Sequence, residues 1–163
     1  MDSKTLANRA AAIADGLRNA FPTAPVPTNH RRADGSIDWE VEEDLQRVIG
    51  KAWTEVKLED WTHMIHPSAI RSGTDTTFFK YYVPSILCGV LGNPEWADPL
   101  ATSALLPDNP KFEPREEWQT FRSAFSPAQV TQIVAFLEWL KDVSDPVSAE
   151  WHAADTALNG LWS

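Results

Sequence analysis

Four side chains that could bind a metal or exchange protons lie close together in the sequence: Glu59, Asp60, His63 and His66. If residues 58–66 form a helix, Glu59, His63 and His66 follow one another at spacings of four and three residues and converge on one face. A zinc site would need further ligands from elsewhere, and the pattern differs from the zinc helix in which two histidines four residues apart flank a glutamate. We therefore predict no metal and no cofactor. A metal-dependent or acid–base enzyme using Glu59, His63 and His66 is the alternative.

The single cysteine, Cys88, lies between Leu87 and Gly89 in the most apolar stretch of the chain. Burial raises the pKa of a thiol and makes it unreactive, so we predict a buried, inert side chain rather than a nucleophile. A lone cysteine cannot form an intramolecular disulfide, which favours a reducing compartment. The glycines are dispersed and form no phosphate-binding loop. These patterns predict a protein without catalytic residues.

Acidic residues crowd the start of a predicted helix, directly after a tryptophan. Apolar residues of the same helix occupy its buried face, so we expect most of these carboxylates to point to solvent. Such charges at the rim of an interface raise the association rate with a basic partner, and a tryptophan can serve as its apolar anchor. The predicted partner-binding residues are Trp39, Glu40, Glu42, Glu43 and Asp44.

Composition limits the possible partners. The chain has 163 residues, of which 43% are hydrophobic and 23% charged, as in an ordinary globular domain. The formal net charge of −9 argues against nucleic acid and anionic membranes, which both attract cationic proteins, and favours a basic protein partner. The N-terminal residues resemble no signal peptide, and no apolar run is long enough to span a bilayer, so we expect a cytoplasmic protein.

The positions of the apolar residues predict a single all-α domain over residues 1–163, with about six to seven helices packed around a central kinked helix and an irregular, proline-containing connection at 21–36. The helix over 78–91 is apolar on most faces, so we place it at the centre, kinked at Pro84. The other predicted helices cover 4–20, 38–52, 58–65, 95–105, 116–124, 127–140 and 147–158. Alternating strand patterns are absent.

Ser126-Pro127-Ala128-Gln129 is the strongest local signal. Ser126 fits a helix N-cap, Pro127 the first helical position, and Gln129 the position from which a capping-box side chain reaches back to the cap N–H. We expect a well-defined helix start at this point.

The eight tryptophans divide into two groups. Trp53, Trp61 and Trp139 occupy apolar helical positions and are expected in the core. The others lie among charges or near the end of the sequence and suit an interface, where tryptophan is a favoured residue. These are Trp39, Trp96, Trp118, Trp151 and Trp162. For any single one of them, plain packing is the alternative and the interpretation that we favour.

Three elements together resemble a family of small bacterial proteins of unknown function. They are Trp53, the run Phe79-Lys80-Tyr81-Tyr82-Val83-Pro84, and Ser126-Pro127-Ala128-Gln129 leading to Phe136-Leu137. The resemblance covers about residues 49–140, and Val83 stands where the family more often has leucine. It implies no catalytic residues. Some similar small acidic proteins are immunity partners of secreted bacterial toxins.

From the charge, the surplus tryptophans and this resemblance, we expect a non-catalytic protein-binding protein. The most concrete form of this expectation is a bacterial immunity protein that occludes the active site of a secreted toxin acting in the cytoplasm. The enzyme described above is one alternative, and a regulatory or scaffold module is another.

Overall fold

Helices make up most of the chain in the computed structural model, which describes residues 1–64, 67–107 and 116–163 and contains no β-strand within them. The all-α single domain predicted from the sequence is confirmed. The described ranges contain more helices than the six or seven expected, because several are short. They are α1 Ser3–Ala20, α2 Trp39–Leu45, α3 Leu58–Thr62, α4 Pro67–Gly73, α5 Thr76–Gly92, α6 Ser103–Leu105, α7 Glu116–Ser123, α8 Pro127–Val143 and α9 Ala149–Leu158.

Helix α5 lies at the centre of the fold, as its apolar sequence predicts. Asp75 begins it, since its carboxylate accepts hydrogen bonds from the N–H groups of Thr77 and Phe78. Helices α1, α3, α4 and α7 all pack against it, and ten of its side chains are buried. The helix continues through Pro84, although proline has no N–H to donate to the preceding turn.

Helix α8 packs against both α1 and α9. Its predicted start is confirmed: the Ser126 hydroxyl accepts from the Gln129 N–H at 3.3 Å, and the Gln129 side chain accepts from the Ser126 N–H at 2.9 Å. The Gln129 amide also donates to the Ala20 carbonyl at 3.2 Å, and the Trp139 indole donates to the Leu6 carbonyl at 3.2 Å. Two side chains of α8 therefore bind the backbone of α1 near its two ends.

The predicted helix over 38–52 is too long, because α2 ends at Leu45. The chain continues as turns, and Gly50 adopts a positive φ of 81°, which favours glycine. The Tyr82 hydroxyl of α5 lies 3.0 Å from the Val48 carbonyl and 2.8 Å from the Lys51 carbonyl. These contacts with α5 fix the backbone after α2 in a non-helical path.

The region around Pro67 also differs from the prediction. Helix α3 ends at Thr62 rather than at residue 65, and residues 65 and 66 lie outside the described residues. A helix not predicted from the sequence, α4, then begins at Pro67. Proline is well suited to this first position because the N–H that it lacks would have no partner within the helix.

Segment 94–105 follows the predicted helix over 95–105 only loosely. It consists of a 3₁₀ turn at Pro94–Trp96, a π-helical stretch at Ala97–Thr102 and the short α6. The irregular connection at 21–36 is present as predicted.

Five of the eight tryptophans are buried. Trp53, Trp61 and Trp139 are buried as predicted. Trp118 and Trp162, predicted to suit an interface, are buried as well. They pack edge to face at 5.7 Å between ring centres, and the Trp162 indole donates to the Leu105 carbonyl. Tertiary packing places both rings against other aromatic side chains, Phe121 among them, and an arginine guanidinium lies over each ring.

Candidate protein-binding surface

The first residue of α2 is the most exposed tryptophan in the described part of the chain. Trp39 exposes 69% of its surface. Helix α2 begins here because the Asp38 carboxylate accepts from the Glu40 N–H at 2.9 Å. Val41 and Leu45, four residues apart, are buried and hold the other side of the helix against the core. This amphipathic arrangement directs Trp39 to solvent.

The predicted partner-binding residues form one surface, which we call the Trp39 surface: Trp39, Glu40, Glu42, Glu43 and Asp44. Glu40 and Glu43 are exposed, as expected. Glu42 and Asp44 are half-buried, so the expectation that the carboxylates mostly face solvent is only partly correct. The exposed acidic charge next to the indole therefore comes chiefly from Glu40 and Glu43.

Glu42 binds two residues of the preceding connection. Its two carboxylate oxygens lie 2.7 and 3.0 Å from the Arg31 Nη2 atom, and one lies 3.2 Å from the His30 Nε2 atom. The hydrogen bond with His30, together with those from Arg31, holds the pKa of the Glu42 carboxyl below its usual value. Glu42 is thus neutralised within the chain and does not add a free charge to the surface.

The connection that supplies His30 and Arg31 is itself fixed to α5. The Asp75 N–H donates to the His30 carbonyl at 3.0 Å, and the imidazole lies 5.9 Å from the Phe78 ring. The sequence analysis did not include His30 and Arg31 in the site. The signal that could have identified them is a run of basic residue types, His30-Arg31-Arg32, shortly before an acidic helix. The orientation of α2 therefore depends on this connection as well as on its own apolar face.

The alternative metal or acid–base cluster is not assembled in the described residues. The Asp60 carboxylate accepts from the Lys57 N–H at 2.9 Å, so it caps α3. His63 closes that helix and is exposed, as is Glu59. His66 lies outside the described residues. Within the described ranges, no group of three or more histidine, cysteine, aspartate or glutamate side chains is placed to hold a metal ion.

Cys88 is half-buried rather than fully buried as predicted. Burial nevertheless raises the pKa of its thiol to about 11. The thiol is therefore protonated near neutral pH and poorly nucleophilic.

The two remaining tryptophans differ in their surroundings. Trp96 is 37% exposed, whereas Trp151 is half-buried under the Lys141 ammonium, 4.4 Å from the centre of the ring. Trp39 is therefore the best apolar anchor that the described surface offers.

No helix in the described ranges combines the length and the apolar character needed to cross a bilayer. A scan of protein-family models and searches of curated proteins and solved structures found no match to this chain.

Proposed function

We propose that this chain is a non-catalytic protein-binding protein, and specifically an immunity protein that neutralises a cognate bacterial toxin. The observation that supports this best is the 69% exposure of Trp39 between acidic side chains at the start of α2. Tryptophan buries a large apolar area on binding and is enriched among the residues that dominate interface energies. A partner protein that covers the indole would explain why this large apolar side chain lies on the solvent-facing side of α2.

The charge around Trp39 selects a basic partner. Glu40 and Glu43 are exposed beside the indole, and the chain as a whole carries a formal charge of −9. Exposed charges at an interface rim act mainly by steering the encounter, so they affect the association rate and its dependence on salt more than the final affinity. A toxin that binds nucleic acid or nucleotides needs a basic active-site surface, and occlusion of that surface would neutralise it in the cytoplasm.

The Glu42 interactions prepare the surface for binding. Arg31 and His30 hold Glu42, and the buried Val41 and Leu45 hold the opposite side of α2. A helix that is already oriented loses less conformational freedom when a partner binds. These residues would therefore support Trp39 rather than contact the partner's basic groups themselves.

The test starts with the protein encoded beside this chain, expressed as an inactive variant and measured against the purified chain by biolayer interferometry. Trp39→Ala should weaken binding at least tenfold, the effect expected of a central tryptophan. Trp96→Ala removes the other exposed tryptophan and is the matched control, which should bind like the parent chain.

The electrostatic part of the proposal is tested separately. The double variant Glu40→Lys, Glu43→Lys should slow association and reduce its salt dependence. The control, Glu95→Lys with Glu138→Lys, makes the same change in net charge at exposed positions outside α2. Equal association rates for the two double variants would show that only net charge matters, and full binding by Trp39→Ala would refute the Trp39 surface. Stoichiometric metal in the purified chain that is lost in His63→Ala would favour the enzyme alternative instead.

A further inference from the structure

A pocket of about 340 Å³ lies between the connection after α1, one face of α5 and the start of α8. We propose that it binds a small organic anion that combines a flat apolar body with a single carboxylate. The volume lies within the range of about 300–1,000 Å³ that is typical of small-molecule sites. Nothing in this assignment depends on the Trp39 surface, and it can be tested on the chain alone.

The apolar wall of the pocket comes from the connection after α1. Phe21, Pro22, Ala24, Pro25 and Pro27 line it. Proline and phenylalanine rings present flat apolar surfaces with few rotatable bonds, so they favour a planar ligand body. Burial of such a body removes apolar surface from water on both molecules.

Hydrogen bonds from other elements hold this wall in place. The Tyr81 hydroxyl donates to the Thr23 carbonyl at 2.6 Å, and the Trp53 indole donates to the Phe21 carbonyl at 3.2 Å. The Phe21 N–H donates to the Leu17 carbonyl at 2.9 Å, which continues the hydrogen bonding of α1 into the connection. The pocket is therefore formed before a ligand arrives, as small-molecule sites usually are.

Two polar groups of the lining are already engaged. The Tyr81 hydroxyl donates to the Thr23 carbonyl and accepts from the backbone N–H of Trp53. The Gln129 side chain accepts from the Ser126 N–H and donates to the Ala20 carbonyl. The Tyr81 hydroxyl therefore has no proton left to donate to a ligand, and the Gln129 amide has only one N–H left.

The Thr77 hydroxyl and the Lys80 ammonium remain for the ligand. They are three residues apart on α5, so they lie on the same face of the helix. Among the described residues, no carboxylate pairs with Lys80, whose ammonium lies 6.0 Å from the centre of the Phe125 ring. No acidic side chain of the described ranges lines the pocket, although the chain carries a formal charge of −9.

This combination defines the ligand class. One ammonium and one hydroxyl can donate to the two oxygens of a carboxylate, and one positive charge balances one negative charge. A neutral ligand would leave the ammonium without a counter-charge. A cation would meet Lys80 and find no carboxylate in the pocket. The apolar wall then accommodates the remainder of the molecule.

The test uses 2-naphthoate as the probe and 2-naphthamide, which has the same rings and no charge, as its matched ligand. Isothermal titration calorimetry should give saturable binding of the naphthoate with a dissociation constant below about 1 mM. In ¹H–¹⁵N spectra, the backbone amides of Ala24, Thr77 and Lys80 should shift together with the same saturation.

Lys80→Met should weaken naphthoate binding at least about tenfold, the lower end of what a hydrogen bond to a charged group contributes. The same variant should bind the amide as the parent chain does. Lys57→Met removes an equal charge from an exposed lysine outside the pocket and should leave naphthoate binding unchanged. Absence of saturable binding, equal affinity for acid and amide, or an unaltered affinity in Lys80→Met would each overturn the assignment.

Discussion

Replacement of Gln129 by alanine should destabilise the domain more than replacement of its capping partner Ser126. The Gln129 side chain is 5% exposed and makes two hydrogen bonds, one to the Ser126 N–H and one to the Ala20 carbonyl at the end of α1. The first bond is local to the start of α8. The second joins residues that are 109 positions apart in sequence, so it links two helices.

The expected magnitude follows from these contacts. Each hydrogen bond contributes about 1 kcal/mol, and leaving a shielded donor or acceptor without its partner adds a further cost of about 1 kcal/mol. Gln129→Ala should therefore lower the free energy of unfolding by about 2–3 kcal/mol. Ser126→Ala removes only the acceptor for the Gln129 N–H and should cost about 1 kcal/mol.

Urea unfolding followed by far-ultraviolet circular dichroism and tryptophan fluorescence provides the measurement. With a denaturant dependence of about 2 kcal/mol/M, Gln129→Ala should shift the midpoint by about 1 M. Gln129→Glu retains an oxygen for the Ser126 N–H, but it loses the bond to Ala20 and places a buried negative charge beside that carbonyl, so it should also destabilise the domain. Glu138→Ala, at an exposed position on the same helix, is the control and should change stability by less than about 0.5 kcal/mol. If Gln129→Ala costs no more than Ser126→Ala, the bond to α1 contributes nothing and the reasoning is wrong.

Three further perturbations have defined expected outcomes. Gly92→Ala should raise the free energy of unfolding by about 0.4–1 kcal/mol in a denaturation series, because a Cβ at this position would meet only open space. Gly50→Ala should lower it, because Gly50 has a φ of 81°, which an alanine adopts only with strain. Cys88 should react slowly with iodoacetamide at neutral pH and faster as the pH approaches about 11 or when urea is added; rapid native labelling would contradict the raised pKa. The lowered pKa of Glu42 means that its stabilising contribution is complete above the ordinary value of 4.5 and is lost as the pH falls through the lowered value. Glu42→Gln should therefore make Tm fall less steeply as the pH is lowered into the acid range. An unchanged dependence of Tm on pH would show that the Glu42 interactions contribute nothing to stability in solution.

The parts of the fold that the sequence predicted are those determined by neighbouring residues. The capping box at Ser126 depends on residues within one turn, and the central position of α5 follows from apolar side chains on most of its faces. The early end of α2 depends instead on Tyr82, which is 34 residues beyond Val48. No local pattern contains that contact, so the helix was predicted too long.

The same division applies to the candidate site. The exposure of Trp39 follows from its position opposite the apolar residues of α2. The partial burial of Glu42 does not, because His30 and Arg31 reach it through an irregular connection whose path the sequence does not specify. Trp162 illustrates the limit most clearly: its indole bonds a carbonyl 57 residues away, and its burial is invisible in the sequence around it.

The shortness of α2 has a consequence for how the Trp39 surface moves. A seven-residue helix that packs mainly on α4 can open and close while the rest of the domain stays folded. Its amide hydrogens should therefore exchange with solvent through local opening, whereas those of α5, enclosed by four other helices, should exchange only when the whole domain unfolds. A partner that binds Trp39 would slow exchange in α2 before it altered exchange in α5. Recognition would then occur on a helix that opens locally, while the central helix beneath it stays closed.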